Sequence, residues 1–189
     1  MFNFGSKPQN IDENPASWNT STITLDTVDL SYKLPQNGYT IVSAPDGLVL
    51  EGSKEKDIIL SETGYDRNDG LSQFFVRFTI SKHDKPVDSA NWTLFRSFSV
   101  EQLDAISASP TTHIDHNSTE RKWLRSIPEN GINELFTTPI DDNYSLTVTG
   151  YYRDKITKKK DWLNRRKQLL EKIIDTVKFT KTQSDLVLR

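Results

Sequence analysis

Two histidines and a carboxylate stand within four residues of one another in Thr112-His113-Ile114-Asp115-His116. On a helix, His113 and His116 share a face and could grip a metal ion. The stretch reads instead as a polar connection, with no third ligand at matching spacing, and so as surface histidines. Asp66-Arg67-Asn68-Asp69-Gly70 has the look of a calcium loop, but its glycine comes one residue early, and Arg77 stands where a bidentate Glu belongs. Gly70-Leu71-Ser72-Gln73-Phe74 lacks the second glycine of a nucleophile elbow. Glu51, Glu62, Asp141 and Asp142 are carboxylates of the kind that pair in glycoside hydrolysis, yet their spacing singles none out. The eight glycines form no phosphate-cradling cluster. The expectation is a chain without catalytic residues, metal or cofactor.

Charge is distributed unevenly. The formal net charge is −2. Residues 1–152 carry 12 Lys+Arg against 21 Asp+Glu, a balance of −9, whereas residues 153–181 carry 11 against 4, a balance of +7. Lys158, Lys159 and Lys160 oppose a helix dipole if placed in its first turn, so they are expected in a solvated loop before the helix. Arg165, Arg166, Lys167 and Lys172 are expected on its solvated face. An acidic body repels phosphates, and no aromatic nucleic-acid motif or zinc-finger spacing occurs, so nucleic acid is not an expected partner.

The elements that must position these groups follow from periodicity. Val28, Leu30, Tyr32 and Leu34 alternate with polar residues, and Phe74, Val76, Phe78 and Ile80 do the same. Ile23 and Leu25 have the opposite phase, which calls for a bulge or turn near Asp26-Thr27. YTIVSA, GLVLEG and DIILS are short apolar runs, the first two separated by Ala44-Pro45-Asp46-Gly47, a hairpin turn. WTLFRSF, from Trp92, reads as a further strand. Ser99 with Gln102 three residues on matches a capping box, placing a short helix there. ERKWLRSI and INELFTTPI flank Pro128-Glu129-Asn130-Gly131, a hairpin with Gly131 in the left-handed region. YSLTVTGYY is a strand. A final helix capped by Asp161 carries Trp162, Leu163, Leu169, Leu170, Ile173, Ile174 and Val177 as one apolar stripe. The expected fold is α+β, a largely antiparallel sheet with this helix across one face.

A length of 189 residues suits one domain with a real core. A loose arm over 1–20, a domain over 21–181 and a tail over 182–189 are expected. Cysteine is absent, so thiol chemistry, disulfides and cysteine zinc sites are excluded. No apolar run has the roughly 18 residues a membrane span needs. The first residues lack the apolar core of a signal peptide, which favours the cytoplasm, with the periplasm after removal of a leader as the alternative.

LSYKLPQNGYTIV near the start and YSLTVTGYYRD…WLNRRKQLLEKIIDTVKF at the end resemble the PsbP-like fold, shared with Mog-type Ran-binding proteins and DcrB-type bacterial lipoproteins. The first piece resembles that fold's opening strand ending in Leu-Pro. The second resembles its last long strand, closing helix and short terminal strand. The resemblance implies a non-catalytic scaffold, serving in bacteria as secretion adaptor, envelope lipoprotein or type VI secretion immunity protein.

The functional expectation is therefore a small protein that binds another protein, a basic toxin or effector, through acidic loops. Candidate contacts are Tyr65, Asp66, Asp69, Asp88, Trp92, Asp141 and Asp142. The rival is a ligand-binding or enzymatic domain with a pocket between sheet and helix. Oligomeric state is not legible.

Overall fold

The computed structural model describes residues 14–25, 28–35, 39–43, 56–62, 72–154 and 160–181. Ten strands and two α-helices lie among them: β1 (Asn19–Leu25), β2 (Val28–Leu34), β3 (Tyr39–Ser43), β4 (Lys56–Glu62), β5 (Ser72–Lys82), α1 (Trp92–Ile106), β6 (Thr111–Asn117), β7 (Lys122–Pro128), β8 (Asn133–Asp141), β9 (Tyr144–Asp154), α2 (Lys160–Thr176) and β10 (Lys178–Lys181). All strand pairs are antiparallel. A three-stranded sheet runs β1-β2-β10, and a seven-stranded sheet runs β3-β4-β5-β9-β8-β7-β6. This is the expected α+β, largely antiparallel architecture.

Alternation sets the faces. Phe74, Val76, Phe78 and Ile80 of β5 are buried, as are Leu146, Val148 and Tyr152 of β9. Register places Phe78 beside Val148 and Phe74 beside Tyr152. Onto this face α2 lays Leu169, Leu170, Ile173 and Ile174, and Val177 follows at its exit, all buried. Tyr32 of β2 stacks on Phe78 with ring centroids 4.7 Å apart, so the small sheet shares the same core. Arg121 lies 3.4 Å over the Phe179 ring, and Lys178 pairs with Glu120 at 2.7 Å, fastening β10 to the β6–β7 turn. Trp18, grouped by composition with the arm, is buried in the core, and Pro15–Ser17 before it form a short 3-10 turn.

Several local expectations are corrected. WTLFRSF is the start of α1, not a strand. Asn91 caps the helix, its side chain accepting from the Leu94 N–H, and Ser99 lies buried in mid-helix instead of capping it. Phe95 and Ser99, four residues apart, turn inward together, a helical spacing hidden among residues with strand propensity. Residues 111–117, read as a connection, are edge strand β6, so His113 and His116 point to opposite faces and cannot share a metal. The helix α2 begins at Lys160, so Asp161 stands in its first turn and not at the cap, still near the positive end of the dipole. Ile23–Leu25 and Val28–Leu34 are two strands of one hairpin, with Leu25 opposite Val28. Gly131 does adopt the left-handed conformation, φ 65°. GLVLEG, the Ala44–Gly47 turn, the 63–71 loop and the side chain of Trp162 lie outside the described residues.

Candidate functional site

Three clusters of polar side chains have geometry that bears on function. The first lies in the seam between α2 and the large sheet. Glu134 stands on the inward face of β8 and is 1 % exposed. Its Oε2 accepts from Arg125 Nε (3.2 Å) and Nη2 (2.7 Å), and its Oε1 lies 2.6 Å from Lys167 Nζ. Arg125 Nη1 donates to Glu171 at 2.6 Å. Burial works against the charge of Arg125, but the hydrogen bond and charge of Glu134, with those of Glu171, outweigh it and hold the guanidinium more firmly protonated than usual. Two cations and two carboxylates thus cross-link β7, β8 and α2. Arg166, expected on the solvated face, is instead 1 % exposed, and Lys167 is committed to Glu134. The helix keeps Arg165 in water, turns Lys167 toward Glu134 and buries Arg166.

Tyr152 closes this cluster from β9. Burial, and secondarily the Glu134 charge, pushes its phenol far above the usual range. Its hydroxyl has no hydrogen-bond partner among the described residues. Above about pH 10 an unfolded tyrosine ionises while the buried one keeps its proton, so the native state binds more protons and stability falls as pH rises. Tyr32 is shifted the same way by burial. Tyr152→Phe is expected to cost little at pH 7 and to flatten the alkaline loss of stability, measured by urea unfolding across pH 8–12.

The second cluster docks α1. Asp115 accepts from Trp92 Nε1 (3.0 Å) and Arg96 Nε (2.8 Å), contacts that lower its carboxyl below the ordinary range. His113 bridges Ser126 Oγ through Nδ1 (2.8 Å) and Asp104 Oδ1 through Nε2 (2.9 Å). Serine, imidazole and carboxylate in a hydrogen-bonded row are the parts of a hydrolytic relay. Ser126 is 1 % exposed in mid-strand, so an acyl donor has no route to its hydroxyl, and the row serves to pin α1 to the sheet. His116 turns the other way, its Nε2 3.5 Å from Asp175 of α2 and its ring edge-on to Phe136.

The third cluster is acidic and lies at one end of the large sheet. The His83 N–H donates to the Asn143 carbonyl and the Val87 N–H to that of Asp142, so the 83–91 loop seats on the β8–β9 turn. Asp142 also accepts from the N–H and hydroxyl of Ser89, and Asp88 from the Asn91 N–H. Asp84, Asp88 and Asp142 are exposed and Asp141 half-buried. Burial lowers the His83 imidazole below its usual range, with Asp141 and Asp84 opposing, so the ring adds no strong counter-charge.

Of the candidate contacts, Asp88, Asp141 and Asp142 therefore share one end of the molecule. Trp92 begins α1 just beyond them, half-buried against Asp115. Tyr65, Asp66 and Asp69 lie outside the described residues. Asp104, Ser126, Arg125 and Glu134 were not anticipated. For the last two a signal existed: Arg125 shares strand parity with Trp123 and Ile127, and Glu134 with Phe136, so both fall on an inward face. Among the described residues no group of His, Asp and Glu is arranged to hold a metal ion, and no helix is long and apolar enough to cross a membrane. No protein-family model matches the chain, and no curated protein or solved structure matches it.

Proposed function

We propose that the chain is a non-catalytic protein-binding domain of the toxin-neutralising or secretion-adaptor kind, with a basic protein as its partner. The observation that carries this reading is the acidic end built by the 83–91 loop and the β8–β9 turn. Backbone hydrogen bonds fix its carboxylates in place before any partner arrives, so little ordering entropy opposes binding there. Asp84, Asp88, Asp141 and Asp142 outnumber the exposed Lys82 and Lys85 at this end, and the surplus of negative charge steers a basic partner and orients it on approach. Leu94, exposed in the first turn of α1 directly after the 83–91 loop, supplies apolar contact area. The resemblance to the PsbP-like fold points the same way. A pocket between sheet and helix is the weaker reading, because Leu170 and the Glu134 ion cluster occupy that seam.

The test uses the full chain immobilised as bait in extracts of the source organism. The expected result is one captured basic protein, released by salt and weakened at least tenfold by Asp88→Lys, a substitution at an exposed loop position. A captured protein whose affinity is indifferent to both salt and Asp88→Lys places the interface elsewhere. Enzymatic turnover of a small molecule by the purified chain would replace this reading altogether.

A further inference from the structure

His83 is the first residue after β5, at the root of the 83–91 loop. Its backbone N–H donates to the Asn143 carbonyl at 2.7 Å. Its ring stands edge-to-face with Phe98 of α1, centroids 5.1 Å apart at 88°. The loop, the β8–β9 turn and α1 thus meet at this one side chain. The ring Nε2 is buried and has no hydrogen-bond partner among the described residues. A neutral imidazole tolerates this, because one of its nitrogens carries no proton. An imidazolium does not, because both nitrogens then donate, and the Nε2–H is shut away without an acceptor.

The charges around the ring do not reverse this. Burial works against the proton most strongly, and Asp141 of the turn and Asp84 of the loop offset it only in part. Asp142 is bound to Ser89, and Asp88 to the Asn91 N–H. Lys82 and Lys85, both exposed, add opposing charge on the loop, and Tyr144 of β9 lies opposite Lys82. On α1, Arg96 is held by Asp115 and Asp104 by His113, while Glu101, one turn beyond Phe98, is exposed.

We propose that His83 is an acid-sensitive latch for the acidic end: when neutral it seats the 83–91 loop on the β8–β9 turn, and on gaining a proton it lets the loop lift. The loop is fastened by few bonds, those of the His83 and Val87 N–H groups to the turn backbone and those of Ser89 to Asp142. It can therefore open without unfolding the sheet. Opening hydrates the ring and restores the ordinary histidine value of about 6.5. The closed ring holds its proton more weakly than the open one, so closure is fully favoured above about pH 6.5 and is lost as pH falls below it. Lifting parts Asp84 and Asp88 from Asp141 and Asp142 and leaves a new positive charge among them. Resting on the partner reading above, the acidic end then releases a basic protein on acidification, while its carboxylates are still ionised.

The test is amide hydrogen exchange of the full chain, without any partner, at about pH 7.5 and about pH 5.5. Protection of the His83 and Val87 amides, taken relative to the amides of β9, is expected to fall severalfold at the lower pH. About tenfold is the ceiling for one proton taken up only by the open loop. His83→Phe keeps a ring against Phe98 and cannot gain a proton, so its relative protection is expected to stay level. His113 and His116 remain in that variant, so any response of theirs would persist in it. Independently of any variant, the wild-type His83 ring is expected to titrate below the ordinary histidine range by nuclear magnetic resonance. Wild-type protection that is equal at both pH values overturns the proposal. So does an acid response that survives in folded His83→Phe, or a His83 ring that titrates at or above the ordinary value. A failed latch leaves the protein-binding reading standing, and failure to capture a basic protein does not alter these readouts.

Discussion

Glu134→Gln is expected to lower the unfolding free energy by about 3 kcal/mol, the low end of the cost of breaking a buried ion pair. The change removes one charge and almost no volume, so packing is not the cause. Arg125 and Lys167, with side chains 16 % and 28 % exposed, are left facing an amide that offers one acceptor where the carboxylate offered two. Arg125 keeps Glu171, itself 36 % exposed, and partial solvent access to both cations moderates the loss. Urea denaturation with an unchanged slope measures it. Replacing Glu134 by Leu and both Arg125 and Lys167 by Met is expected to return stability to within about 1 kcal/mol of wild type, since an apolar seam avoids the desolvation that the ions incur. A loss below 1 kcal/mol for Glu134→Gln alone would mean that water, not protein, already neutralises the cluster.

The ion cluster also shows where sequence reading stops. Phe74 to Ile80 and the α2 stripe were legible because one face of each element is apolar and the period is unbroken. The 128–131 turn was legible because a glycine follows Asn130 between two apolar runs. Lys167 was not, because a basic residue on a helix is assigned to water unless its counter-charge is known. Here that counter-charge is Glu134, thirty-three positions earlier, brought within reach by the way β8 and α2 meet in space. The start of α1 failed for a related reason. Trp92, Thr93, Phe95 and Phe98 favour strands by propensity, and only docking onto β6 and β7 through Asp115 and His113 decides for a helix. Strand β6 looked like a connection because its histidines and aspartate make it polar on both faces. Its side chains are met by helices on either side, Asp104 from α1 and Asp175 from α2, so polarity there marks interhelical pinning and not exposure. The same polarity concealed the Asp104–His113–Ser126 row, whose members come from three elements. The acidic end was legible as charge but not as a surface, because only the backbone bonds between the 83–91 loop and the β8–β9 turn bring Asp88 beside Asp142.

Gly150→Val is expected to destabilise the protein by about 2–3 kcal/mol, the upper range for overpacking a filled core. Gly150 lies in β9 between Val76 and Glu134, on the face that α2 covers. A Cβ added there stands 2.5 Å from Leu170 Cδ2 and 3.1 Å from the Tyr152 hydroxyl. Leu170 is fully buried among Leu169, Ile173 and Ile174, so its methyl has nowhere to retreat and the helix must lift from the sheet. Valine's higher strand propensity offsets under about 1 kcal/mol of that. Lifting α2 also lengthens the Lys167–Glu134 contact, so the packing and ionic terms fail together. Adding Leu170→Ala to Gly150→Val is expected to recover part of the loss, with a favourable coupling of at least about 1 kcal/mol between the two changes. Additive losses would locate the clash at Tyr152 instead, and a neutral Gly150→Val would mean that α2 does not sit this close to β9 in solution.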